Sequence, residues 1–207
     1  MPEFLNAVID ISHFNGDIDF NAVASDGILG VIQKATQGLA DVDPLYERNR
    51  INATNAGLLW GAYHFATGED TISQAEHFLS VVGNSGNVLL ALDFEHNPDG
   101  SSMDLGQADA FVTQVQARTG RFPGLYGGSY LKELLGEGSD PVLAQCWLWI
   151  AEYGPEPFIP PNWGTWTLWQ YTDGAAGPEP HTVAGVGPCD RDFFNGPERQ
   201  LRKLWLS

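Results

Sequence analysis

The chain predicts an α/β fold: an irregular β/α barrel of the TIM type with about eight strands, its helices missing in the last third. Three observations predict it. Short apolar runs alternate with amphipathic segments. The runs are apolar on both faces, as strands of a helix-covered parallel sheet are. There are about eight of them, enough to close a sheet on itself. An open doubly wound sheet is the structural alternative, but it binds nucleotides through a Gly-rich first turn, and ISHFNGD after the first run is no GxGxxG. With 207 residues, no low-complexity segment and no internal repeat, residues 1–207 read as a single domain.

In chain order, the predicted strands are AVIDI (7–11), GVIQKAT (30–36), LLWGAYHF (58–65), NVLLALDFE (87–95), GLYGG (124–128), CWLWIAEY (146–153), TLWQYT (167–172) and CDRDFF (189–194). Each has strand length and β-branched or aromatic content. Between the early ones lie helical patterns. PLYERNRINATNAG places Pro44 at a first helical position and Gly57 as a stop; DTISQAEHFLSVVG opens on Asp70 or Thr71 and ends at Gly83. DLGQADAFVTQVQARTG sets Ala108, Phe111, Val112 and Val115 at helical spacing before Gly120, and Ser129 reads as the N-cap of a shorter helix, YLKELLG. Beyond residue 137 the signal fades into Pro-, Gly- and Trp-rich loops, with PERQLRKLW as a last amphipathic piece.

Ten basic against 26 acidic side chains give a formal charge of -16, which repels nucleic acid and anionic membrane surfaces. No apolar run reaches the ~18 residues of a membrane span, and MPEFLNAVID has no basic n-region followed by a long apolar stretch, so no signal peptide is visible. Cys146 and Cys189 show no CxxC or Cys/His metal spacing; buried filler is the default reading and a disulfide the minority one.

Catalytic groups of a β/α barrel sit where strands end, so the polar residues closing each run are the candidates. They are Asp10, Lys34, Tyr63 or His64, Asp93 with Glu95, Tyr126, Glu152 or Tyr153, Gln170, and Asp190 with Asp192. In LLALDFEH, Asp93 and Glu95 project to one face about 6.6 Å apart along the strand. Leu89 and Ala91 then fill the barrel, and Leu90, Leu92 and Phe94 pack under helices. Two carboxylates so close cannot both ionise freely, and a proton donor beside an anion is the equipment for breaking a glycosidic bond. Metal binding would ask for a DxDxDG or HExxH loop, and neither is present; His13, His64, His77, His96 and His181 are scattered. Neither a metal nor a cofactor is expected. Trp60, Trp147, Trp149, Trp163, Trp166 and Trp169, with Tyr63, Tyr126, Tyr153 and Tyr171, supply both core and faces suited to sugar rings. Ser-His-Asp chemistry is disfavoured, because no GxSxG occurs.

AVIDISHFNGDIDF, GVIQKATQGLADVDP, GLLWGAYHFA, LLALDFEHN, GLYGG, LWIAEYG, LWQYTDG and CDRDFFNG together resemble, in order and spacing, the Chalaropsis-type lysozymes of glycoside hydrolase family 25, from residue 8 to about 196. The resemblance implies an N-acetylmuramidase that hydrolyses the β-1,4 bond between N-acetylmuramic acid and N-acetylglucosamine in peptidoglycan. It implies Glu95 as general acid and Asp93 as support for the developing cation, directly or through the substrate's 2-acetamido group. It implies that Asp10 and Asp190 complete the acidic catalytic set and that Lys34, Tyr63, Tyr126 and Gln170 contact substrate; Trp149 and Asp192 are expected among the binding residues as well. Two departures stand out. KATQG carries Gln37 where relatives have Glu, and Asp190-Arg191-Asp192 stands where relatives often read D-x-N, so either acid can be the inward one.

A catalytically silent glycan-binding module on the same barrel is the alternative from another class; acids at four strand ends speak against it. A chitinase would show DxxDxDxE where this chain reads LLALDFE. The expected partner is the glycan strand of peptidoglycan, met by a monomer without membrane insertion. Action on the cell wall, in the periplasm or outside the cell, then requires release by phage lysis, a secretion system or removal of a precursor segment.

Overall fold

The computed structural model describes residues 4–206; the first three residues of MPEFLN and Ser207 lie outside the described residues. The elements run β1 (Leu5–Ile11), α1 (Phe20–Ser25), β2 (Gly30–Gln37), β3 (Asp41–Val42), α2 (Tyr46–Asn55), β4 (Leu59–Phe65), α3 (Thr71–Val82), β5 (Val88–Asp93) and α4 (Leu105–Thr119). They continue with β6 (Gly124–Gly127), α5 (Ser129–Leu135), β7 (Trp147–Ala151), β8 (Leu168–Thr172), β9 (Thr182–Val183), β10 (Gly187–Pro188), β11 (Asp190–Phe194) and α6 (Glu198–Leu206). All eight predicted runs are strands of one closed barrel, in the order β1-β2-β4-β5-β6-β7-β8-β11 with β11 returning to β1.

The barrel is mixed, which corrects the all-parallel expectation. Neighbours from β1–β2 round to β7–β8 are parallel, but β11 is antiparallel to both β1 and β8. The physical reason is the connection. After β8 the chain carries no crossover helix; it stays at the end where β8 finishes, folds the β9–β10 hairpin, and re-enters the sheet from that end.

Strand alternation sorts the side chains as the LLALDFEH reading expected. Leu89 and Ala91 join Val8, Ile32, Trp149 and Leu168 inside the barrel. Leu90, Leu92 and Phe94 belong to the outer core with Phe78 of α3 and Phe111 of α4. The end opposite the strand C-termini is closed by α6, whose Leu201 and Trp205 enter the interior cluster. Trp205 Nε1 donates to the Trp60 carbonyl at 2.8 Å, and its ring leaves no room at Gly30, where a Cβ would come within 2.9 Å.

Most helix ends obey the sequence signals. Asp70 caps α3, which stops at Gly83; Asp104 and Gln107 form a capping box on α4, which stops at the left-handed Gly120. Two boundaries move. α2 begins at Tyr46, not Pro44, because Asp43 holds a turn ahead of the helix: its carboxylate accepts Leu45 N–H at 2.9 Å and its carbonyl accepts Tyr46 N–H at 3.1 Å. Ser129 is the first residue of α5, and the N-cap position is Gly128. The short α1, capped by Asp19, was absent from the sequence reading; six residues are too few to establish a period.

Candidate active site

A cleft of about 240 Å³ opens where the parallel strands end. Its acids come from three strands: Asp10 from β1, Asp93 with Glu95 from β5, and Asp190 from β11. Tyr63, Tyr126, Trp149, Tyr153 and Gln170 complete the lining. Asp93 is the last residue of β5, and the pairing outlasts the strand: Phe94 N–H donates to the Tyr126 carbonyl at 2.9 Å and Ala66 N–H to the Asp93 carbonyl at 3.0 Å. Alternation therefore persists through Phe94, which is buried outward, and Glu95 returns to the cleft side.

Asp190 reaches the same mouth from the start of its strand, not its end, because β11 runs backwards; it is the register partner of Asp10. Both acids of the Asp190/Asp192 pair point inward, at different depths. Asp190 lines the cleft, whereas Asp192 is 0% exposed beneath it and accepts Trp149 Nε1–H at 2.6 Å. Asp192, expected among the substrate contacts, is thus shut off from solvent: with Asp190 at the rim, alternation puts its neighbour two residues on inside the barrel.

The electrostatics follow from crowding acids in a partly dry cleft. Burial, then the neighbouring Glu95, push the Asp93 carboxyl well above the usual carboxylate range, against the opposing pull of the Lys34 ammonium. Burial also raises Glu95, which is partly exposed at the rim. Burial and Asp173 push Asp190 up to about 6, and burial with Asp190 and Asp192 nearby holds Asp10 well above its ordinary value.

Gln170 organises the opposite wall. Its Oε1 accepts the hydroxyls of Tyr126 and Tyr153, each at 2.8 Å, and its Nε2 donates to Asp10 Oδ2 at 2.9 Å. Lys34 stands outside the cleft lining; its Nζ donates to Gln37 Oε1 at 2.5 Å and lies over the Phe65 ring, 4.9 Å from the centroid. The Gln37 of KATQG is thus the residue that holds Lys34.

The open alternatives resolve by strand parity. Tyr63 faces the cleft and His64 faces outward, buried between Thr36 Oγ1 at 2.8 Å and Gln74 Oε1 at 3.1 Å and stacked 5.1 Å from Phe111. Burial lowers the His64 imidazole to about 3, so it stays neutral. Tyr153 faces the cleft, while Glu152 pairs with Lys132. Tyr153, the open alternative to Glu152 and not one of the named substrate contacts, has the parity of Trp149 and Ala151. Of the six tryptophans considered, Trp149 is the one in the lining; Trp60, Trp166 and Trp169 pack in the outer core. Cys146 and Cys189 are buried free thiols, as filler cysteines are. Among the described residues, no group of three or more His, Cys, Asp or Glu side chains is arranged to hold a metal ion, and no helix is long and apolar enough to cross a membrane.

Comparison with known proteins agrees with this geometry. Residues 9–179 match the glycosyl hydrolases family 25. The chain is 35% identical over 213 residues to Lysozyme M1 of Streptomyces globisporus, covering 95% of this chain and 70% of that protein. It is 31% identical over 214 residues to the N,O-diacetylmuramidase of Chalaropsis sp., covering 94% and 96%. The crystal structure of the bacterial lysozyme from Streptomyces coelicolor superposes with a TM-score of 0.87 at 32% identity, covering 100% of this chain and 99% of that one. A match over most of the chain, on a closed mixed barrel with the acids gathered at one mouth, means that the chain belongs to glycosyl hydrolases family 25.

Proposed function

We propose that Glu95 and Asp93 are the working pair of this lysozyme-type glycosidase, which hydrolyses the β-1,4 bond between N-acetylmuramic acid and N-acetylglucosamine in peptidoglycan. One observation carries the assignment: two carboxyls from a single strand end stand together in the cleft, Glu95 partly exposed at its rim and Asp93 buried deeper, where the pull of the Lys34 ammonium favours the ionised form. Glu95, at the rim, holds a proton and gives it to the leaving glycosidic oxygen. Asp93, deeper and facing Lys34, supports the oxocarbenium-like charge at the anomeric carbon, directly or through the 2-acetamido oxygen of the substrate.

Asp10 and Asp190 add negative potential across the cleft, where positive charge develops. Tyr63, Tyr126, Tyr153 and Trp149 offer ring faces and hydroxyls to the pyranose rings, and Gln170 fixes two of those hydroxyls. Lys34 acts at one remove, through its charge on Asp93. All of these groups come from one chain, which supports a monomer at the cell wall and residues 1–207 as one catalytic domain. Digestion of purified peptidoglycan, borohydride reduction and mass spectrometry test the reading: new reduced muramic acid ends are expected. New glucosamine ends, anhydro-muramic ends or no new ends would each reject it.

A further inference from the structure

This chemistry leaves one acid without a task. Asp192 is fully buried, and its Oδ1 accepts the Trp149 indole N–H. Its Oδ2 is also buried and has no donor among the described residues, although the carboxyl lies within hydrogen-bonding reach of Asp10. As two carboxylates the pair has no hydrogen to share, and Asp192 is too deeply buried for bulk solvent to screen the contact. A single proton turns the contact into a short-range hydrogen bond and removes a buried charge.

We propose that Asp192 is a protonated carboxylic acid at neutral pH, donating from Oδ2 to Asp10, and that it is a positioning residue which holds Asp10 as an oriented carboxylate.

The donors around the pair say which partner keeps the proton. Gln170 places its Oε1 toward the two phenols and its Nε2–H on Asp10, a donor that suits a carboxylate there. Asp10 lines the cleft; Asp192 is reached by no solvent and has one neutral donor in Trp149. A carboxylate is the group that suits Asp10, and an acid is the group that suits Asp192. The neighbouring acids Asp190 and Asp93 surround Asp10 with negative charge, so the cluster as a whole favours taking up a proton; the Gln170 N–H on Asp10 and the deeper burial of Asp192 draw that proton to Asp192. Burial raises the Asp192 carboxyl and Asp190 reinforces it, opposed by the hydrogen bonds with Trp149 and Asp10. The resulting chain of donors runs from Trp149 to Asp192 to Asp10 on one side and from Tyr126 and Tyr153 through Gln170 to Asp10 on the other.

The role of Asp10 in turnover rests on the function proposed above; the protonation of Asp192 does not, and the two are measured separately. The variants are Asp192→Asn, whose amide keeps a carbonyl for Trp149 and an N–H for Asp10, and Asp192→Ala, which keeps neither. The infrared difference spectrum of wild type minus Asp192→Asn at neutral pH is expected to show the C=O stretch of a protonated carboxylic acid. On peptidoglycan, Asp192→Ala should lose about tenfold in kcat with KM nearly unchanged, and Asp192→Asn should restore kcat to within about twofold of wild type. Absence of the carboxylic-acid band from folded protein overturns the protonation. An Asp192→Asn variant as impaired as Asp192→Ala overturns the positioning role. An inactive wild type with the band present would sink the proposed function and leave the protonation standing.

Discussion

Gln170 Nε2 donates to Asp10 Oδ2 at 2.9 Å, joining β8 to β1 across the intervening β11, although the residues lie 160 positions apart. Gln170 is 2% exposed, so its amide works in a site where an unmade hydrogen bond is expensive. Gln170→Leu strands two tyrosine hydroxyls and removes a donor from Asp10. It should lower kcat by about 10- to 100-fold, while Tyr153→Phe, which leaves Tyr126 on the amide, should cost under about fivefold. Steady-state kinetics on soluble peptidoglycan fragments would decide, and equal losses in the two variants would argue against the shared-amide account.

Glu95→Gln keeps the size and polarity of the side chain and removes the transferable proton. Turnover should fall by at least about 10²–10⁴-fold with the circular dichroism spectrum unchanged. Clearing of a cell-wall suspension at the wild-type rate would take Glu95 out of its role.

Stability should depend on pH through the raised carboxyls. Asp190 and Asp109 are both pushed up to about 6, Asp190 by burial and then Asp173, Asp109 by burial and then Asp140. A carboxyl that holds its proton more tightly folded than unfolded adds stability below its ordinary value of 3.8, and that stability is lost as pH rises through about 6. Thermal scans at constant ionic strength should show Tm falling between roughly pH 4 and pH 6, with a smaller fall for Asp109→Asn. A Tm that climbs over this window would contradict the direction of both shifts.

The floor of the barrel is a second test of packing. Trp205→Ala removes a 1%-exposed indole and its bond to Trp60 and should cost about 3–5 kcal/mol in urea unfolding. Gly30→Ala, with its Cβ 2.9 Å from that ring, should cost about 1–3 kcal/mol. If the clash is the cause, the double variant will be less destabilised than the sum; strict additivity would place the strain elsewhere.

Cys146 and Cys189 are buried free thiols, each raised by burial to about 12. A thiol reagent should find neither in the native protein and both after denaturation, and reductant should leave Tm unchanged. Fast labelling of either thiol under native conditions would show that its neighbourhood opens.

Much of this protein was determined by sequence alone, because periodicity is local. The alternation in LLALDFEH fixed which side chains fill the barrel and which face the helices, and the Asp70, Asp104, Gly83 and Gly120 signals fixed helix ends, since a cap satisfies backbone groups within one turn. Parity extended past Ala151 would also have picked out Tyr153. The tertiary structure decided what depends on the direction of a strand or on distant partners. Strand length and composition are the same whichever way a strand runs, so CDRDFF did not reveal that β11 is reversed, that Asp190 enters the mouth from the strand's start, or that Asp192 is sealed below it. Nor does any local pattern announce that a glutamine on the seventh barrel strand and an aspartate on the first share a hydrogen bond; closure of the barrel puts them together.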